Sequence, residues 1–208
     1  MVYPAVVILS YLLGSIPTGF LVARARGVDI RTAGSGNIGT TNVFRVLGRP
    51  AGSIVMLVDV LKGVLGSAVV PLAVLAVAGA GAAHRETLEV IGGSAAVLGH
   101  NYTCWLNFKG GKGVATTGGV LLGLVPLAFG VALLVWLVTL VVTRFVSLAS
   151  IAAAVSLPIA VSLAGGSKVL TIIAAALGML AIGKHRANLQ RLLNGTEPRV
   201  GRRGTVKP

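Results

Sequence analysis

An all-α integral membrane protein of seven transmembrane helices, with the N-terminus outside and the C-terminus cytoplasmic, is the fold class the sequence predicts. Two observations predict it. Of 208 residues 55% are hydrophobic, mean hydropathy is +0.91 and only five residues are acidic, which leaves too little charge for an ordinary solvated surface. The second observation is the placement of the cations. In a seven-span arrangement all but three of the eighteen Lys and Arg residues fall in cytoplasmic segments, as the positive-inside rule requires. The exceptions are Arg85 and Lys168, outside, and Lys62, within the second apolar run.

The apolar runs follow one another at 3–23, 51–78, 88–106, 114–125, 127–142, 148–164 and 169–182. A spanning helix needs about 20 apolar residues, so several of these spans are short. No basic stretch precedes the first run and no small-residue cleavage site closes it, so it is expected to be a retained span. Residues 114–142 could form one helix kinked at Pro126 or two short helices. A single span there would carry the basic C-terminal segment outside, against the charge rule, and two are expected. The single cysteine, Cys104, excludes an internal disulfide and a multi-cysteine metal site. The whole chain, 1–208, reads as one membrane-embedded domain, with a basic flexible tail from 197.

A net charge of +13 raises the question of nucleic acid. The cations lie at the ends of apolar runs with almost no aromatic residues between them for base stacking, so membrane lipid is the partner expected and nucleic acid is not. For the tail GRRGTVKP, topology and attraction to anionic lipid are the expected roles.

This topology gathers four polar segments on the cytoplasmic face: 24–50, 107–113, 144–150 and 184–195. The first contains TAGSGNIGTTNVFRVLGRP at 32–50. Its glycine-rich start suits a loop whose backbone approaches a ligand closely, and Asn37 and Thr41 are among its small polar candidates for substrate contact. Thr40 or Thr41 is expected to cap a short interfacial helix with Val43, Phe44, Val46 and Leu47 on its apolar stripe, ended by Gly48 and Pro50. Ser35 and Arg45 would then face a common polar space, where the arginine fork can grip a phosphate. A plain juxtamembrane loop with an anchoring arginine is the alternative.

The second segment, FKGGKGVAT at 108–116, combines Lys109 and Lys112 with Gly110, Gly111 and Gly113. Successive glycine amides can point at one anion, and a helix starting near Val114 would add its positive end. Leu106 and Gly113 stand where a Walker A loop needs its first glycine and its hydroxyl, so the loop predicts phosphate and not a nucleotide. In the third segment Ser147 and Ser150 lie one turn apart, and helix capping is the expected role. In the fourth, His185, Asn188 and Leu192 share a helix face that Asn194 and Gly195 close. Within the membrane, Asp59 and Lys62 can pair at i and i+3, either for function or as a structural bridge. His100 and Asn101 are also unusual in a span, although a lone histidine with no carboxylate near it in sequence does not suggest a metal site.

Three blocks, SGNIGTTNVFRVLG at 35–48, GHNYTCWLNFKGGKGVAT at 99–116 and KHRANLQRLLNGTE at 184–197, together resemble the bacterial acyl-phosphate:glycerol-3-phosphate acyltransferases of the inner membrane. The resemblance covers nearly the whole chain. It implies seven membrane helices and transfer of a fatty acyl group from acyl phosphate to the 1-hydroxyl of glycerol 3-phosphate, giving lysophosphatidate and phosphate as the first acylation of phospholipid synthesis. It implies catalytic roles for Ser35, Arg45, Lys112, His185 and Asn188. The Gly110–Gly113 turn matches the glycerol-phosphate loop, Ser150 a serine of the substrate pocket, and Glu197 an acidic residue of structural character. No metal, other cofactor or coenzyme A is implied, and the protein is expected to be a monomer. Tyr102 and Thr103 depart from the family pattern, which has a proline nearby; this bears on helix shape and not on chemistry.

The chemistry agrees with this resemblance. An acyl phosphate carries its own leaving group, so a site need only hold two phosphates, align a hydroxyl and stabilise an oxyanion. Many cations and few acids suit that task. The proton acceptor is either His185 or a substrate phosphate. A phosphate-ester transporter would instead show polar groups through the membrane depth and an internal repeat, and a structural lipid-binding protein would not need Ser, Arg, His and Asn on one face.

Overall fold

The computed structural model describes residues 1–79 and 82–201, and all regular structure among them is helical. Of the basic tail expected from 197, the part beyond 201, with Arg202, Arg203 and Lys207, lies outside the described residues. The chain divides into two compact units, Met1–Pro126 and the segment from Leu127 onward. The first holds α1 (Val2–Ser15), α2 (Thr18–Arg24), α3 (Thr40–Val64), α4 (Val70–Ala78), α5 (Arg85–Asn101) and α6 (Val114–Leu124). The second holds α7 (Pro126–Thr143), α8 (Val146–Leu163), α9 (Lys168–Lys184) and α10 (Arg186–Leu193).

Breaks occur where the backbone chemistry demands them. Pro17, which has no N–H to donate, separates α1 from α2. Gly48 interrupts α3 at φ 80°, ψ −176°, so the short helix expected between residue 40 and Gly48 is present. Its cap is not the expected one. Gly39 holds the N-cap position in extended conformation without a side-chain bond, and the Thr40 hydroxyl turns to Asp59 Oδ2 at 3.4 Å. The α8 cap is likewise the backbone of Phe145 and not a serine. Val125, with φ −141° and ψ 75°, stands between α6 and α7, so the 114–142 stretch forms two helices. Tyr102 and Thr103 end α5 without a proline, the Thr103 hydroxyl donating to the Ser15 carbonyl.

Among the described residues, four helical stretches can cross a membrane alone by length and composition: Val2–Arg24, Thr40–Ala78, Pro126–Thr143 and Val146–Leu163. The pair α9 and α10 qualifies together but bends by 56°. α5 and α6 are shorter, at 17 and 11 residues. The stretch from α3 to α4 passes through a π-helical turn at Leu65–Val69, where the Ser10 hydroxyl donates to the Gly66 carbonyl at 3.0 Å.

Beside a buried apolar core that includes Val6, Ile30, Val55 and Leu88, burial departs in two ways from that of a water-soluble domain. Leu134, Val141, Val142, Leu163 and Ile172 are exposed, while Ser10, Asp59, Lys62, Ser67, His100 and Asn101 are buried. Lipid tails solvate the first set, and helix association then depends on close packing of small residues. In the first unit α1 packs on α5 and α3 on α6; in the second α8 packs on α9. At the α3–α6 contact a Cβ on Gly119 would lie 2.0 Å from the Val60 carbonyl oxygen, and one on Gly63 would lie 2.1 Å from that of Thr116. Gly119→Ala therefore forces these backbones apart and is expected to cost about 1–3 kcal/mol. Gly130→Ala, at a helical position with no atom within 4 Å, serves as the control. Thermal unfolding in detergent should show a lowered Tm for the first and an unchanged or raised Tm for the second.

Candidate active site

In the first unit the 30–39 loop is organised by one buried side chain. Asn42, 2% exposed on the first turn of α3, donates through Nδ2 to the carbonyls of Ala33 and Asn37, both at 2.9 Å. Its Oδ1 accepts the Ser35 N–H at 2.8 Å and the Arg45 Nη1 at 3.5 Å. The expected pair Ser35 and Arg45 therefore meets on one oxygen, and both residues are exposed. Among the described residues Arg45 has no carboxylate partner. Arg31 has one: its side-chain and backbone hydrogen bonds to Asp29 hold that carboxyl down to about 2. Asn37 accepts the Gly39 N–H at 2.8 Å and so shapes the loop itself, while Thr41 is exposed at the start of α3.

The glycine loop is built differently from the expected anion nest. Gly110 N–H donates to the Asn101 carbonyl at 3.2 Å and Gly111 N–H to the His100 carbonyl at 3.0 Å. These carbonyls belong to the last turn of α5, where no further turn of helix can satisfy them. The two amides are thus engaged within the protein, and the expectation that they converge on an anion is corrected. Space is what the glycines supply: a Cβ at 110 would lie 2.1 Å from the His100 oxygen, and one at 111 would lie 2.1 Å from His100 Nε2. Gly113, at φ 77°, holds the N-cap position of α6, which starts at Val114 as expected. Lys109 is exposed and Lys112 is half-buried. Asn107 and Phe108 precede the loop with φ of 52° and 59°, a left-handed pair that is costly for the phenylalanine.

Asp59 and Lys62 do pair, at 2.9 Å and almost fully buried. Their neighbour is His100, whose Nδ1 lies 3.6 Å from Asp59 Oδ1. At that distance the two groups are in contact but too far apart for a hydrogen bond.

The second unit places His185 at the 56° bend between α9 and α10. His185 is 3% exposed, and its Nδ1 lies 2.8 Å from the Ala181 carbonyl. A carbonyl only accepts, so Nδ1 carries the hydrogen and any proton-accepting role falls to Nε2. Asn188, one turn on, donates to Glu197 Oε1 at 2.7 Å, and Arg191 Nε donates to Oε2 at 2.8 Å. Burial acts to raise the Glu197 pKa, but the hydrogen bonds from Asn188 and Arg191 and the Arg191 charge bring it below the ordinary glutamate value. Beyond Glu197, the Arg199 guanidinium lies 4.8 Å from the Phe145 ring centroid and Val200 N–H donates to the Arg144 carbonyl. Ser150 is not a cap: its hydroxyl donates to the Val146 carbonyl at 2.8 Å and accepts from Trp136 Nε1 at 3.2 Å.

The sequence model of a family described as Glycerol-3-phosphate acyltransferase matches residues 4–195. The chain belongs to this glycerol-3-phosphate acyltransferase family. It is similar to the glycerol-3-phosphate acyltransferase of Geotalea daltonii, with 47% identity over 92% of this chain and 94% of the relative. It is also similar to that of Bacillus subtilis, with 42% identity over 96% and 98%. The crystal structure of PlsY, an integral membrane glycerol 3-phosphate acyltransferase, in its glycerol 3-phosphate form, superposes with a TM-score of 0.84 at 43% identity, covering 94% of both chains. The chain is therefore an acyltransferase, and an integral membrane protein.

The residue of this acyltransferase that the sequence concealed is Asn42. Its place in TTN, seven residues after Ser35, carries no periodic signal, and only the folded loop brings the Ser35 N–H and the Ile30, Ala33 and Asn37 carbonyls to its amide. Asn42→Asp keeps the acceptor but removes both donors, leaving the Ala33 and Asn37 carbonyls facing a carboxylate. A loss of about 1–3 kcal/mol is expected, with the 30–39 loop opened to trypsin at Arg31; limited proteolysis of the detergent-solubilised variant checks it.

Proposed function

We propose that this acyltransferase moves a fatty acyl group from acyl phosphate to the 1-hydroxyl of glycerol 3-phosphate, giving lysophosphatidate and phosphate, the first acylation of phospholipid synthesis. One observation carries the reading. PlsY, 43% identical, was solved in a glycerol 3-phosphate form, and in a lysophosphatidic acid form that is 42% identical with a TM-score of 0.81. These ligands are the acceptor and the monoacylated product of a single transfer.

On this reading Arg45, held beside the Ser35 amide by Asn42, grips a substrate phosphate with its fork, and Lys112 and Lys109 supply further positive charge. The glycines at 110, 111 and 113 let the loop pack flat against the end of α5, where any side chain would displace it. Asn37 and Thr41 contribute substrate contacts from the same unit. Ser150, His185 and Asn188 are assigned to the reaction because they match the family's motif positions. The acceptor hydroxyl attacks the acyl carbon, the carbon–oxygen bond to phosphate breaks, and inorganic phosphate leaves with the electron pair. The hydroxyl proton passes to His185 Nε2 or to a phosphate oxygen. Since the donor is already activated, alignment and oxyanion stabilisation supply most of the catalysis, and neither coenzyme A, a nucleotide nor a metal takes part. The enzyme is proposed to act as a monomer in the bacterial inner membrane, with seven spans, its N-terminus outside and its active site facing the cytoplasm.

Purified enzyme in detergent, given acyl phosphate and glycerol 3-phosphate, is expected to release lysophosphatidate and phosphate in equal amounts without coenzyme A. Product formed only from acyl-coenzyme A would overturn the assignment of the donor.

His185→Asn separates the two proton acceptors. If a substrate phosphate takes the proton, the variant raises the glycerol 3-phosphate KM and keeps much of its turnover at saturation. We favour this outcome because the donor is activated. A general-base role would instead lower kcat on the order of 100-fold to 10,000-fold, and kcat across pH at saturating substrate distinguishes them.

A further inference from the structure

Three ionisable side chains of the first unit, Asp59, Lys62 and His100, are buried together although none is among the proposed substrate-binding residues. Burying a charged pair in a span costs free energy that well-packed apolar residues would avoid, so their contacts bear on what they do. Asp59 lies at the centre. Its Oδ1 accepts from Lys62 Nζ at 2.9 Å and contacts His100 Nδ1 at 3.6 Å, and its Oδ2 accepts from the Thr40 hydroxyl at 3.4 Å. Lys62 Nζ also donates to the Ile16 carbonyl, at the break between α1 and α2.

Two of these contacts lead directly to the loops of the site. Thr40 is the first residue of α3, immediately after the 30–39 loop that carries Ser35. His100 holds the glycine loop at two points: its carbonyl accepts the Gly111 N–H at 3.0 Å, and its ring packs so closely that a Cβ on Gly111 would lie 2.1 Å from Nε2. The ring nitrogen facing Asp59 and the one facing Gly111 are on opposite sides of one imidazole. The ring therefore spans the gap between the carboxylate and the loop backbone.

We propose that the buried Asp59–Lys62–His100 cluster positions the 109–113 loop relative to the 30–39 loop and thereby sets the affinity for the phosphate of the acceptor substrate. This rests on the reading that glycerol 3-phosphate is that acceptor and that Lys112 and Arg45 bind its phosphate. Lys62 fixes the Asp59 carboxylate, Asp59 fixes the start of α3 and the His100 ring, and the ring fixes Gly111. His100 is a positioning residue: it acts through the loop and touches no reacting atom.

The test is steady-state kinetics on the purified full-length chain in detergent. His100→Ala is expected to raise the KM for glycerol 3-phosphate on the order of 10-fold, with a much smaller change in kcat and the KM for acyl phosphate unchanged; His100→Gln should recover part of the loss. Asp59→Asn combined with Lys62→Met, which removes both charges and leaves no unpaired ion, should raise the same KM. Adding it to His100→Ala should give no further increase, because the cluster acts through the ring. If His100→Ala does not fold, the Asp59→Asn/Lys62→Met variant alone decides by the same criterion. An unchanged glycerol 3-phosphate KM, or equal effects on both substrates, would overturn the proposal while wild-type activity left the acceptor reading intact. Wild-type enzyme that formed no lysophosphatidate would overturn the acceptor reading itself.

Discussion

A helix that ends at a membrane leaves carbonyl oxygens that hydrocarbon cannot satisfy, and the end of α5 shows how one chain meets that constraint. The His100 and Asn101 carbonyls accept the Gly111 and Gly110 amides. A segment carrying two lysines is thereby fastened to the end of α5 by its own backbone. The glycines are there because the approach is too close for a side chain, and the lysines project from a backbone whose course is already fixed. Structural need and proposed phosphate binding thus fall on the same residues, which is why motif spacing alone misreads the loop as a nest of outward-facing amides.

The same economy of space governs the helix contacts. Many large apolar side chains turn outward, and the interior of the first unit combines buried Val6, Ile30, Val43, Val55 and Leu88 with small residues and a few polar groups. Ser10, Ser67 and Thr103 each donate to a backbone carbonyl. Close backbone packing makes such bonds geometrically available, and the absence of water makes them worth more than at a solvated surface.

What could be read from sequence was periodic or local. The apolar runs appear as helices in the expected order, Gly48 breaks α3, α6 starts at Val114, and α6 and α7 are separate. The pairing of Asp59 with Lys62 followed from their three-residue spacing, and the three motif blocks were enough to reach the family. Spacing could not reveal contacts between residues far apart in the chain. His100 meets Asp59 from another helix, the Thr40 hydroxyl is drawn from its own helix end to that same carboxylate, and Ser150 is drawn to Trp136. Length was legible as well: several of the apolar runs are short for a span, and α5 and α6, at 17 and 11 residues, are short helices with the glycine loop between them.

The π-helical turn at Leu65–Val69 has a consequence for how this chain can change. Such a turn holds one residue more than the α-helix it replaces, and each residue rotates an α-helix by about 100°. Because the extra residue is absorbed within the widened turn, deleting one residue there would straighten the helix and leave α4 near its present bearing on α1 and α5. What would be lost is the turn itself, whose Gly66 carbonyl accepts from the Ser10 hydroxyl and whose Gly66 lies against Ala96. This turn is therefore the point at which the stretch can change length without turning the rest of α4 from its neighbours.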